Sequence, residues 1–206
     1  MPGYAARALP WSRLALAVVL VAVLMELVRW DPWVLWPLEG AAVGLLAGAS
    51  AWCFDEPAAA VVDASPRGLG WRTLARSPGP LLLLGVWSAV VLHAGDEALF
   101  GHRDAVWLQG VAAVLAGAAL AGWRRSRGEA MPGLVAAGVL VPVTTAWAVL
   151  RPAKDLLVVF PYGTTSLRGW EVSVVGWSVL AAGAVGVLAL ALSGLRVSRP
   201  RVVGGG

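Results

Sequence analysis

Long apolar runs separated by shorter polar breaks organise this chain. A membrane-crossing helix needs about 20 mainly apolar residues. Six runs approach that length, at 14–28, 33–54, 80–94, 105–123, 131–150 and 172–195. The run at 80–94 is short; it either begins earlier, near Leu74, or enters and leaves on one face. The first run ends at Glu26-Leu27-Val28-Arg29 without a small-residue cleavage site, and the second follows almost at once, so it reads as a retained helix rather than a signal peptide.

Two breaks are longer than a minimal connection. In the first, 55–76, Asp55 is placed to cap a helix, with Glu56 and Pro57 in its first turn. That helix runs over Ala58–Ala64 and stops before Ser65-Pro66. Pro66-Arg67-Gly68-Leu69-Gly70 then turns the chain, and Trp71 to Arg76 lead into the third span. On this reading Asp55, Glu56 and Asp63 share an exposed face. The second break, 151–171, contains Leu156 to Phe160, five apolar residues that are too few to span a bilayer. They form a re-entrant element or pack over a cavity. A third, weaker feature is the stretch Tyr4–Arg13, placed along the interface with Arg toward water and Leu and Trp toward lipid.

Composition turns the spans into a class. The chain is 59% hydrophobic and 14% charged, with a mean hydropathy of +0.75. A soluble domain carries about 25% charged residues. The fold class is therefore all-α, a polytopic helical bundle in the membrane. Cys53 is the only cysteine, which excludes an intrachain disulfide and any CxxC site. The basic balance, net +4, reads as membrane sidedness rather than nucleic-acid binding. With six spans and the N-terminus inside, eleven of the sixteen Lys and Arg residues fall on the inner side. The expected topology is N-in and C-in, multi-pass, in a bacterial plasma membrane. Most tryptophans fall near predicted span ends, as interfacial anchors do; Trp87 and Trp177 fall within spans.

Candidate packing and chemistry are sparse. Gly40, Gly44 and Gly48 place two overlapping GxxxG units on one face of span two, for close packing within the chain or at a subunit seam. Pro142, followed by Thr144 and Thr145, kinks span five. Glu26 and Glu39 lie beside or within apolar runs, either lining a pathway or reaching the interface, with Arg29 as a partner. Asp96, Glu97, Asp104, His93 and His102 form either a metal-binding group or, the better reading, a solvated connection. No GxxxxGK[ST] phosphate loop and no HExxH is present, and nothing beside Ser50 forms a nucleophile elbow. No catalytic residue and no metal site is assigned.

The arrangement resembles the permease subunit of a type-two ATP-binding-cassette exporter. The shared features are six spans, both termini inside, an interfacial N-terminal segment, a short inner helix between spans two and three, and an apolar re-entrant stretch between spans five and six. Phe54 to Ala59 followed by Ser65-Pro66-Arg67 is similar to the corresponding loop of small actinobacterial permease-like membrane proteins. The resemblance implies that Asp55, Glu56, Pro57, Asp63, Pro66, Arg67 and Arg72 form an ATPase-coupling element. It also implies a separate ATPase subunit carrying ATP and Mg, a second permease chain, and no cofactor bound by this chain. Other readings stay open: an accessory or assembly subunit of another membrane complex, or a small proton-coupled transporter or membrane enzyme using Glu26 or Glu39.

Overall fold

A computed structural model describes residues 8–59, 69–151, 158–162 and 167–193, all helical or in turns, with no strand among them. The helices are α1 (Trp11–Trp30), α2 (Pro32–Leu35), α3 (Pro37–Trp52), α4 (Leu69–Ala75), α5 (Pro78–Ala98), α6 (Arg103–Ser126), α7 (Pro132–Leu150) and α8 (Leu167–Leu192). Five stretches are long and apolar enough to cross a membrane: α1, the Gly70–Ala98 stretch, α6, α7 and α8.

The remaining apolar run, 33–54, differs from expectation. It is not one helix. Pro37 has no N–H to continue the ladder of α2, and the chain turns at Trp36. Asp31 caps α2 by accepting from the Val34 amide at 3.3 Å. What remains, α3, has 16 residues, about 24 Å at 1.5 Å per residue. This short helix is the centre of the bundle, with α1, α6 and α7 packed around it. The 80–94 run also departs from its short form: α5 extends over Pro78–Ala98, close behind α4, with a local kink at Gly95, where φ is 77°.

Close approach explains why α3 can be central. Gly40 faces Ala148, Gly44 faces Thr144 and Gly48 faces Ala137, so the glycine stripe lies against α7 within the same chain. On another side the backbone of Ala47 sits against Gly117 of α6. Gly110 leaves the space that the buried Trp87 ring occupies, and the Trp87 indole donates to the Trp107 carbonyl at 3.0 Å. Ser50 donates to the Val114 carbonyl at 2.8 Å, a polar tie between α3 and α6.

The outer helices are apolar on both faces. In α1 the buried stripe is Leu14, Ala17, Val21, Met25 and Val28, while Leu16, Val19 and Val23 are exposed. In α8 only Trp170, Ser173, Trp177 and Ala184 are buried. A helix that shows aliphatic side chains all round suits lipid rather than water.

Two glycine positions test this packing. Gly117→Ala places a methyl against the Ala47 backbone, which cannot rotate away. It is expected to cost about 1–3 kcal/mol, the usual range for overpacking. Gly183→Ala meets nothing within 4 Å and is expected to be neutral or stabilising by up to about 1 kcal/mol through helix propensity. Thermal melts of the two variants in detergent check both signs.

Candidate functional site

Polar side chains gather at the two ends of the bundle. At one end the C-terminus of α3 meets the start of α7, the end of α6 and the approach to α5. Glu56, 4% exposed, accepts from three arginines. Arg72 donates at 3.0 Å, Arg76 at 3.2 Å and Arg125 through Nη2 at 2.6 Å. The Glu56 amide also donates to the Ala130 carbonyl at 2.8 Å.

Asp55, 6% exposed, caps a helix, but not the one expected from its neighbours. Its Oδ1 accepts from the Gly133 amide at 2.6 Å, in the first turn of α7. There Pro132 opens the helix and Met131, at the cap position, supplies no side-chain bond. Asp55 thus does in tertiary structure what an N-cap does locally. Burial pushes its carboxyl above the usual range, while the Gly133 amide and Arg13, at 3.6 Å, pull the other way. A raised value means that burying the charge costs stability near neutral pH, and that this cost is relieved as pH falls.

Arg76 completes the end. It donates to the Cys53 carbonyl at 3.2 Å and to the Asp55 carbonyl, groups that the end of α3 leaves open. Arg125 lies in the last turn of α6, where the helix dipole favours a cation. Four cations, Arg13, Arg72, Arg76 and Arg125, face two acids, and helix carbonyl ends take up part of the excess.

This corrects the expected coupling face. Asp55, Glu56 and Arg72 are buried rather than exposed: Glu56 and Arg72 are bonded to each other, and Asp55 is engaged by the first turn of α7. Pro57 is exposed. Asp63, Pro66 and Arg67, and the expected 58–64 helix beyond Ala59, lie outside the described residues.

At the opposite end Glu39, in the first turn of α3, is buried and bonded to the Tyr162 hydroxyl. Tyr162 also approaches Gln109 Oε1 of α6 at 2.6 Å. Burial, with Glu39 next, holds the Tyr162 phenol well above its ordinary range, so it stays neutral. Aromatic rings surround it: Trp170 at 5.4 Å, Trp36 at 5.6 Å, Phe160 at 6.0 Å and Phe100 at 6.3 Å. Arg151 lies 4.0 Å over the Trp36 ring and donates to the Tyr162 carbonyl. The 158–162 segment is fixed further where Ser173 and Trp177 donate to the Val159 carbonyl, at 2.8 and 3.0 Å. This is the described part of the expected re-entrant stretch, and it packs over the end of α3 and α6.

Glu26 does not join this group. It is exposed and pairs with Arg29 at 2.8 Å and His93 at 3.3 Å, beside a cleft of about 450 Å³ between α1 and α5. His102 stacks on Trp170 at 4.1 Å, and Asp96 approaches Arg103 at 3.8 Å. Among the described residues, no three His, Cys, Asp or Glu side chains converge as a metal site would need.

Sequence reasoning missed Arg76, Arg125, Tyr162, Gln109 and Arg151. One signal was there: Gln109 is the only carboxamide side chain in the chain, and it falls within an apolar run. No protein-family model, curated protein or solved structure matches the chain.

The tertiary cap separates two substitutions. Asp55→Asn keeps an acceptor for the Gly133 amide and removes a costly buried charge, so its stability near neutral pH is expected to stay within about 0.5 kcal/mol of wild type. Asp55→Ala leaves the amide open and is expected to cost about 1–2 kcal/mol. Melts of both variants in the same detergent check the order.

Proposed function

We propose that the chain is the membrane-spanning permease subunit of an ATP-driven exporter. A separate chain hydrolyses ATP, and a second permease chain completes the pathway. The observation that supports this reading best is the way the 55–76 connection is fastened. Glu56, Arg72 and Arg76 lock its two ends together, and through Asp55 and Arg125 they tie it to the ends of α7 and α6. A push on this connection is carried to α3, α6 and α7 as a unit. The same end holds Arg13, Arg72, Arg76, Arg124, Arg125 and Arg127, an excess of positive charge that supports reading it as the cytoplasmic end. The buried members are anchors of the coupling element. Contact with the ATPase falls to exposed Pro57 and to the intervening sequence that contains Asp63, Pro66 and Arg67.

One observation favours a second reading. The buried Glu39 and its bond to Tyr162 suit a proton-coupled transporter.

Purification decides between them. A tagged chain extracted from its native host in mild detergent is expected to retain a phosphate-loop ATPase in fixed stoichiometry. A chain that comes through without an ATPase, and whose reconstituted transport follows a proton gradient without ATP, contradicts the exporter reading.

A further inference from the structure

We propose that the cleft between α1 and α5 is a lipid site, and that it selects a phospholipid whose headgroup carries a primary ammonium, such as phosphatidylethanolamine. The proposal is independent of the exporter reading and needs only that α1 and α5 span the bilayer.

The space is there and it faces lipid. The cleft holds about 450 Å³, within the range of about 300–1,000 Å³ typical of small-ligand pockets. Alanines make the room: Ala22 on α1, and Ala89 and Ala94 on α5, stand where larger side chains would meet across the gap. Val23 in the wall is exposed, and so are Val19 on α1 and Leu92 on α5 beside it. Aliphatic side chains left open on spanning helices meet acyl chains.

Depth divides the cleft as a phospholipid is divided. α1 ends at Trp30, which is 83% exposed, and open indoles of this kind sit at headgroup level. Glu26 lies one turn below Trp30, and Ala22 two turns below, about 6 and 12 Å at 1.5 Å per residue. On α5, His93 stands at the same interfacial end and Ala89 one turn deeper. Among the described residues, Glu26 and His93 are the only charged or titratable side chains in the lining. The rest of the wall lies among the tails.

The interfacial end carries both signs of charge. Glu26 Oε1 accepts from Arg29 at 2.8 Å, and its Oε2 lies 3.3 Å from His93 Nε2, so the carboxylate joins the two walls. A carboxylate has about four lone-pair sites, and this side chain is 56% exposed, which leaves acceptor capacity open. Arg29, 45% exposed, reaches Glu26 through Nη1 and leaves the other edge of its guanidinium for a phosphate. An ammonium brings three N–H donors. A headgroup with ammonium and phosphate close together therefore meets Glu26 and Arg29 at once. A trimethylammonium group has no N–H to give, so the same pair selects against a choline headgroup. The tail adds contact but little preference, because the surrounding lipid is as apolar as the walls. Selectivity falls to the headgroup pair.

The test uses the full-length chain purified in detergent. Phosphatidylethanolamine, phosphatidylcholine and phosphatidylglycerol with identical tails are offered in equal amounts, and bound lipid is counted by native mass spectrometry. Wild type is expected to favour phosphatidylethanolamine over phosphatidylcholine about fivefold, or about 1 kcal/mol, as suits a half-exposed charge pair. Glu26→Gln is expected to fold, since it removes only an exposed ion pair, and to lose that preference. Ala89→Trp fills the cleft from an exposed position and is expected to remove the bound lipid whatever its headgroup. Val179→Trp, on the exposed face of α8, leaves it in place. Equal retention of the ethanolamine and choline lipids by wild type overturns the proposal. So does a preference for phosphatidylglycerol, which marks only attraction to Arg29, and so does an ethanolamine preference that survives Glu26→Gln or Ala89→Trp. A chain that is dimeric until Ala89→Trp splits it also overturns the proposal, because a second copy then fills the cleft. Should Ala89→Trp fail to elute as a single species, the Glu26→Gln comparison decides alone.

Discussion

One carboxylate holds the arginine-rich end of this bundle in place. Glu56 sits where water is excluded, and three guanidinium groups converge on it from α4, the approach to α5, and α6. In such a place the Coulomb attraction is strong, but so is the penalty for any charge left unpaired. The cluster is therefore all or nothing: removing one member strands the others. Asp55, its neighbour, adds the cap of α7, and Arg76 adds the closure of α3. Two consecutive residues, Asp55 and Glu56, thus fix several helix ends.

The second constraint is the shortness of α3. A helix of 16 residues cannot face lipid along its length and also reach both interfaces comfortably. It is instead wrapped by longer helices, and its glycines let α7 come close enough to cover it. Both polar clusters form where this short helix ends, because its two termini leave open carbonyls and amides inside the protein. Glu39 stands in its first turn, and Cys53 to Glu56 follow its last. The charged end and the aromatic end are two answers to the same problem.

Much of this was legible along the chain, and the limits are physical. Apolar run length located the long helices, since a bilayer imposes a length. The glycine spacing of Gly40, Gly44 and Gly48 marked a face of close approach, but periodicity does not say which helix fills it. Asp55 carried the signature of a cap, yet the amide it caps belongs to a helix 78 positions on. Glu56 and Arg125 are 69 positions apart, and Glu39 and Tyr162 are 123 apart. Local pattern rules act over one or two turns, so an acid after an apolar run reads as exposed when only tertiary packing buries it.

The central claim is that Glu56 and its arginines act as one buried unit. A double-mutant cycle with Glu56→Gln and Arg125→Gln, followed by thermal melts in detergent, tests it most directly. A buried, mutually dependent pair is expected to show a coupling of about 2 kcal/mol or more, with each single variant nearly as damaging as the double. Additive effects, with a coupling below about 0.5 kcal/mol, would mean that the cluster is solvated and that the account is wrong.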